Sequence, residues 1–94
     1  MIQKPILCIL VPCYNEEDGI NDSIKILDNL INEIIQEDLI SIHSFLLFID
    51  DGSTDSTYLI LQKNKLQNHR ILKLANNKGQ QFALLAALIT QKIK

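Results

Sequence analysis

Blocks of apolar residues alternate with polar stretches along this chain, and the spacing inside each block predicts a secondary-structure element. The segments from Ile6 to Val11 and from Phe45 to Ile49 are continuously apolar. Unbroken apolar runs of this length are typical of strands buried on both faces, as in a parallel sheet covered by helices. Residues 70–74 alternate between polar and apolar side chains, which predicts a third strand nearer an edge of the sheet.

Between these strands the apolar residues follow helical spacing. From Ile20 to Ile34 they recur at steps of three and four residues, with acidic and amide side chains between them. This pattern predicts an amphipathic helix that ends near Gln36. A second helix is predicted over residues 55–65, and a third over residues 80–89 with apolar residues on almost its whole surface.

Polar residues near the starts of the first two helices are candidate helix caps. Asn15 or Asp18 would cap the first helix and Ser53 or Thr54 the second, because their side-chain oxygens can accept hydrogen bonds from helical amides. Gly52 predicts a sharp turn after the second strand, since glycine adopts backbone conformations that other residues avoid.

The order of the elements is therefore β-α-β-α-β-α, which is typical of an α/β protein with a parallel sheet. Right-handed crossovers make the three strands parallel, with the first strand in the middle of the sheet or at one side. We predict a three-layer, Rossmann-like α/β fold in a single domain over residues 1–94. Because the third helix is apolar nearly all round and needs a cover, we expect this domain to be part of a larger fold.

Composition and charge narrow the functional classes. A net charge of −2 and an isoelectric point near 5.5 argue against binding to nucleic acid, which would require a basic face. Cys8 and Cys13 have the spacing of neither a redox motif nor a zinc site, so we predict reduced cysteines in a cytoplasmic protein. No apolar stretch approaches the roughly 20 residues that a membrane span needs.

Polar residues follow directly after the first two predicted strands. Pro12 predicts the end of the first, because proline cannot donate a hydrogen bond to a sheet, and residues 12–16 are Pro-Cys-Tyr-Asn-Glu. The second leads into Asp-Asp-Gly-Ser-Thr-Asp over residues 50–55. Open α/β sheets bind ligands at the carboxyl ends of their strands, so these segments predict one acidic crevice. The glycine-rich phosphate-binding motifs are missing from the sequence, so the phosphates of a ligand would need a metal ion or residues elsewhere.

Together, the two segments resemble the opening of the family 2 inverting glycosyltransferases, which have the GT-A fold and use nucleotide-diphospho-sugars. In that family the first strand ends in Pro-x-Tyr-Asn-Glu and the second in Asp-Asp-Gly-Ser-x-Asp, and both patterns occur here without gaps. Residues 74–88 are similar to a segment of the polyprenyl- and dolichyl-phosphate sugar transferases. That subgroup usually has arginine where this chain has Asn76 and glycine where it has Ala87. The resemblance implies the N-terminal, nucleotide-sugar-binding part of a GT-A fold.

The resemblance implies a nucleotide-binding site made of Pro12, Tyr14, Glu16, Asp50 and Asp51. The first three would surround the nucleoside, where Tyr14 offers a flat ring or a hydroxyl and Glu16 can accept a hydrogen bond from a ribose hydroxyl. Asp50 would accept a hydrogen bond from an N–H of the base, a contact that selects uracil. Asp51 would be a further partner in this site.

The resemblance further implies a nucleotide-sugar donor, a polyprenyl or other lipid phosphate as acceptor, and a full-length enzyme at the inner face of a membrane. A divalent metal, Mg²⁺ or Mn²⁺, is expected in that enzyme. The family's metal-binding Asp-x-Asp follows a fourth strand, whereas no Asp occurs after Asp55 in this chain. We therefore predict no metal ligand and no catalytic residue among these 94 residues, and no sugar transfer by the chain alone.

A second interpretation stays open, in which the chain is a non-catalytic nucleotide-binding or interaction module. Glu16 could merely favour the start of a helix, and residues 51–53 could serve only as turn and cap residues. A receiver-type signalling domain is disfavoured, because its acidic pair follows the first strand of the sheet and not the second.

Two apolar surfaces predict self-association. No charged residue lies between Pro5 and Pro12, so an open edge of the first strand would pair readily with another chain. The apolar third helix also requires a cover. We predict a homodimer or higher oligomer that buries one or both of these surfaces.

Overall fold

The computed structural model describes residues 4–64 and 68–74, which form three strands and two helices in strict alternation. In chain order these are β1 (Cys8–Cys13), α1 (Ile20–Gln36), β2 (Phe45–Asp50), α2 (Thr57–Lys63) and β3 (His69–Lys73). The predicted α/β class is confirmed. The third helix, predicted over residues 80–89, lies outside the described residues.

The three strands form one parallel sheet in the order β1-β2-β3. All six residues of β2 are buried, as expected of a strand paired on both sides. β1 is only partly buried except at Cys13, although its apolar run predicts burial on both faces. The reason is its position, because within the described residues β1 pairs with β2 alone and lies at one side of the sheet.

Both helices pack on the same face of the sheet, as two right-handed crossovers in one direction require. The core between them contains side chains from α1, α2 and β2, among them Ile24, Ile31, Leu61, Leu46 and Phe48. Phe45, Leu47 and Ile49 are buried on the opposite face of the sheet. The described residues thus form a helix layer and a sheet layer, and the third predicted layer depends on residues outside them.

The helix α1 has the amphipathic pattern that its sequence predicts. Ile20, Ile24 and Ile31 are buried at helical spacing, and burial of each side chain contributes about 1.5–3 kcal/mol to folding. The residue at its N-cap is Gly19, which makes no side-chain cap hydrogen bond, so the predicted caps Asn15 and Asp18 are wrong. Neither described helix is long and apolar enough to cross a membrane.

Pro12 does not end the first strand, which continues to Cys13 with Pro12 in register with Ile49. Phe45 N donates to Leu7 O and Asp51 N donates to Cys13 O, so the odd-numbered residues of β1 direct their backbone groups towards β2. The nitrogen of Pro12 therefore faces away from β2, and no hydrogen bond between these strands is lost. Proline is tolerated in this position of a strand that lies at the side of a sheet.

Candidate functional site

The loops that follow β1 and β2 meet at the carboxyl end of the sheet. Cys13 and Asp50 are register partners, and Asp51 N donates to Cys13 O over 2.9 Å just beyond them. Tyr14 and Glu16 follow in the first loop. All five residues that the sequence assigns to the site, Pro12, Tyr14, Glu16, Asp50 and Asp51, therefore lie at this one end of the sheet.

Asp50 is the most unusual residue of this group, because its side chain is 0% exposed. Its Oδ1 accepts a hydrogen bond from Ser53 N at 3.3 Å, whereas its Oδ2 is buried without a hydrogen-bond partner among the described residues. A buried carboxylate oxygen that lacks a donor costs free energy relative to one that is paired. The carboxyl end of β2 therefore holds a buried acceptor that lacks a donor among the described residues.

The turn after Asp50 keeps the two carboxylates at the strand end. Asp51 is also buried, and Gly52 adopts a φ of 76°, the left-handed region in which glycine lacks the steric penalty of other residues. This confirms the sharp turn predicted at Gly52. The reversal brings Ser53 back to Asp50, where its amide supplies the hydrogen bond to Oδ1.

The two candidate residues of the first loop have exposed side chains. Tyr14 is 42% exposed, and Glu16 lies at the surface beside it. Both Glu16 and Asp50 lie close enough to act on the Cys13 thiol, whose pKa is raised to about 12 by burial first and then by these two negative charges. The thiol donates to Val11 O at 3.4 Å and stays protonated at neutral pH.

An inter-loop network of hydrogen bonds joins the loop after β1 to the loop after β2; its residues are Asn15, Glu16, Glu17, Ser53, Thr54, Asp55, Ser56 and Thr57. Asn15 Oδ1 accepts from Thr54 N at 2.8 Å and from Asp55 N at 3.4 Å. In return, Asn15 N donates to Ser53 Oγ at 3.0 Å. Asn15 itself has a φ of 50°, a conformation that asparagine tolerates better than most residues.

Asp55 connects the inter-loop network to the start of α2. Its carboxylate accepts from Thr57 N, from the Thr57 hydroxyl and from Glu17 N. Desolvation alone would raise the pKa of Asp55, but the hydrogen bonds from Thr57 and Glu17 lower it below its ordinary value. The N-cap of α2 is Ser56 and makes no side-chain cap bond, so the predicted caps Ser53 and Thr54 are wrong.

Of the residues in the inter-loop network, the sequence assigns only Glu16 to the site. Serine, threonine, asparagine and aspartate near strand ends signal local turns and caps, because their side chains bond readily to nearby backbone. Here Asn15 and Thr57 instead bond across about 40 positions of the chain, as between Asn15 and Asp55 and between Glu16 and Thr57. Local sequence patterns carry no signal for such pairs.

The resemblance implies a metal ion whose ligands lie outside this chain. No group of three or more His, Cys, Asp or Glu side chains within residues 4–64 and 68–74 is arranged to hold a metal ion. The Mg²⁺ or Mn²⁺ ion that the resemblance implies for the full-length enzyme stays a prediction.

A cavity of about 350 Å³ lies at the opposite, amino end of the sheet; it is lined by Ile42, His43, Phe45, Asn68, His69 and Arg70. The guanidinium of Arg70 lies 3.9 Å from the centre of the Phe45 ring. Burial lowers the pKa of His69, which favours a neutral imidazole. None of the residues that the sequence assigns to the site lines this cavity, and ligands of open α/β sheets bind at the carboxyl ends of the strands.

Comparison with known proteins bears on the function of the loops at the carboxyl end of the sheet. The family model described as glycosyl transferase family 2 matches residues 8–89, which is most of the chain and includes both loops of the crevice. The chain belongs to glycosyl transferase family 2. The predicted family is thereby confirmed.

Two relatives from this comparison are named as glycosyltransferases. The "uncharacterized glycosyltransferase YkoT" of Bacillus subtilis (strain 168) is 41% identical over 87 residues, which cover 90% of this chain and 26% of that protein. The "dolichyl-phosphate beta-glucosyltransferase" of Dictyostelium discoideum is 33% identical over 101 residues, which cover 99% of this chain and 29% of that protein. The chain thus spans less than a third of the length of either relative.

Proposed function

We propose that this family 2 chain is the N-terminal, donor-binding part of an enzyme that transfers a sugar from a UDP-linked nucleotide-sugar to a lipid phosphate. Family membership supports sugar transfer as the reaction class. The name of the Dictyostelium relative, a dolichyl-phosphate glucosyltransferase, supports a polyprenyl phosphate as acceptor. The donor site is proposed at the carboxyl end of β1 and β2.

The observation that supports the donor site is the buried Oδ2 of Asp50, which has no hydrogen-bond partner among the described residues. Uracil presents an imide N–H that can donate to a carboxylate oxygen. Cytosine has an unprotonated nitrogen at the same ring position, so it would place an acceptor against an acceptor. A site that offers only a carboxylate there rejects the wrong base because the buried polar groups are left unpaired. The proposed donor is therefore a uridine nucleotide.

The exposed residues of the first loop have the chemistry to complete a nucleoside site. The Tyr14 ring, at 42% exposure, offers a face on which a base can stack. The exposed Glu16 carboxylate can accept hydrogen bonds from ribose hydroxyls. Pro12 lies one residue before the register pair Cys13 and Asp50 and restricts the backbone where the loop leaves the sheet.

The diphosphate and the chemical step require residues beyond this crevice. We propose that the divalent ion, the catalytic base and the acceptor site belong to parts of the enzyme outside the described residues, which hold no metal-binding cluster. The crevice itself is acidic, with Glu16, Asp50 and Asp51 at its centre. It is suited to a nucleoside and not to bare phosphate groups.

Comparison of UDP with CDP tests this proposal on the chain itself. Ligand-induced shifts in the ¹H–¹⁵N NMR spectrum give both dissociation constants. We expect UDP to bind with a dissociation constant on the order of millimolar, which corresponds to about 4 kcal/mol. CDP should bind about tenfold more weakly, because it cannot donate to Asp50 from the ring nitrogen. Equal affinity for the two nucleotides, or binding of neither, would contradict the proposal and favour a module with another role.

A further inference from the structure

We propose that Asn15 and Thr57 are positioning residues that hold the first loop so that the side chains of Tyr14 and Glu16 face the donor nucleotide. This inference rests on the proposed donor site. It assigns a role to two residues of the inter-loop network, and it follows from the direction of each hydrogen bond in that network.

Three consecutive backbone amides of the first loop donate to side chains of the second loop and of the start of α2. The amide of Asn15 donates to Ser53 Oγ at 3.0 Å, that of Glu16 to Thr57 Oγ1 at 2.8 Å, and that of Glu17 to Asp55 Oδ2 at 3.2 Å. The backbone on both sides of the Glu16 side chain is thereby fixed to the second loop. The side chain itself stays at the surface.

Bonds in the reverse direction fix the second loop to the first. The Asn15 side chain accepts from Thr54 N and Asp55 N, and Glu17 Oε2 accepts from Ser56 N at 3.4 Å. Asn15 also supplies the left-handed backbone conformation, with a φ of 50°, at the point where the chain turns between Tyr14 and Glu16. Its backbone and its side chain therefore both set the path of the loop.

Thr57 links the inter-loop network to the hydrophobic core. It is the first residue of α2 and is 0% exposed, so its position is fixed by the packing of that helix against the sheet. Its hydroxyl accepts from Glu16 N and donates to Asp55 Oδ1. Both bonds of this hydroxyl are made within the protein. We therefore expect Thr57 to affect nucleotide binding through the loop that it holds.

The pair of variants Thr57→Val and Thr57→Ser separates positioning from general stability. Valine keeps the shape of threonine but removes the hydroxyl, whereas serine keeps the hydroxyl and loses only a methyl group. UDP titrations give the affinity, amide exchange at Glu16 reports the broken hydrogen bond, and urea unfolding reports stability. Asn29→Ala, an exposed site on α1, is the matched control outside the network.

Loss of the Thr57 hydroxyl should weaken UDP binding by about fivefold and speed exchange of the Glu16 amide, with the β2 amide signals unchanged. Thr57→Ser should restore UDP affinity to within about twofold of the parent chain. The Thr57→Val chain could instead be folded, show faster exchange of the Glu16 amide and bind UDP with the affinity of the parent chain. That result would overturn the positioning role and leave the donor site intact. A parent chain that binds no UDP would overturn both.

Asn15 variants test the positioning role if Thr57→Val prevents folding. Asn15→Gly tolerates the φ of 50° but lacks the side-chain acceptor, and Asn15→Ala loses the acceptor and is also strained in that conformation. UDP affinity should fall by about fivefold in the glycine variant and further in the alanine variant. Affinities equal to that of the parent in both variants would refute the proposal.

Discussion

Cys13 and Asp50 lie opposite each other at the carboxyl ends of β1 and β2, and the negative charge of Asp50 helps to keep the Cys13 thiol protonated. Burial is the largest cause of the raised pKa of Cys13, followed by the charge of Glu16 and then that of Asp50. The pKa of this buried thiol thus depends on two of the three carboxylates assigned to the donor site, Glu16 and Asp50. The pKa of Cys13 can therefore be used to measure the electrostatics of these strand ends without a ligand.

The raised pKa of Cys13 predicts that the protein loses stability at alkaline pH. The unfolded chain releases this proton near the ordinary value of 9.0, whereas the folded chain keeps it until about 12. The folded state therefore binds more protons in this window, and the free energy of unfolding falls as pH rises from 9 towards 12. Urea unfolding at several pH values should show a steeper fall for the parent chain than for Cys13→Ala. Parallel curves for the two proteins would contradict the raised pKa.

Asp50→Asn should separate stability from nucleotide selectivity. The amide oxygen can still accept from Ser53 N, and the variant removes a buried charge whose Oδ2 has no partner among the described residues. We expect the free energy of unfolding to stay the same or rise by about 1 kcal/mol.

The same substitution places an NH₂ donor where Asp50 offers an acceptor, so the ratio of UDP to CDP affinity should fall by about tenfold. Glu33→Gln, an exposed carboxylate on α1, is the control and should leave this ratio unchanged. An unchanged ratio in Asp50→Asn would show that Asp50 does not contact the base.

Two leucines on α2 test where the core lies. Leu61 is 0% exposed and packs in the core between the helices and the sheet, whereas Leu59 on the same helix is 56% exposed. Leu61→Ala should lower the free energy of unfolding by about 2–5 kcal/mol, because it removes buried methyl groups and leaves a cavity. Leu59→Ala should change it by about 0.5 kcal/mol or less. Similar losses in urea unfolding for the two variants would contradict the described packing of α2.

Gly52 and Gly19 form a second matched pair. Alanine at position 52 would have to adopt a φ of 76°, which costs about 1–2 kcal/mol for a residue with a Cβ atom. At Gly19 the φ is −119° and an added Cβ meets nothing within 4 Å, so Gly19→Ala should alter stability by roughly 0.5 kcal/mol or less. In thermal unfolding, the melting temperature of Gly52→Ala should be well below that of Gly19→Ala. The reverse order would argue against the described turn.

The sequence predicts most of the described fold because the relevant signals are local. The spacing of Ile20, Ile24 and Ile31 predicts α1, and the apolar run of β2 predicts a buried parallel strand. The similar run in β1 does not reveal that this strand lies at one side of the described sheet, because the number of neighbouring strands is a property of the tertiary structure. Pro12 is compatible with β1 for the same reason, since its nitrogen faces away from β2.

The same distinction between local and tertiary signals applies to the candidate site. The positions of Tyr14, Glu16 and Asp50 at one end of the sheet follow from strand order and parallel direction. The bonds of Asn15 and Thr57 could not be predicted, because they depend on how two loops approach each other in space. The nucleotide-binding roles, the divalent ion, the cytoplasmic location and the homo-oligomer stay predictions.

Mapping the UDP binding site by NMR tests the central claim most directly. Assigned ¹H–¹⁵N spectra of the chain with increasing UDP should show the largest shifts in residues 12–17 and 50–53, at the carboxyl end of the sheet, and little change around the amino-end cavity near Phe45 and Arg70. UDP shifts confined to the amino-end cavity, or no shifts at saturating concentration, would contradict the assignment of the donor site to the loops after β1 and β2.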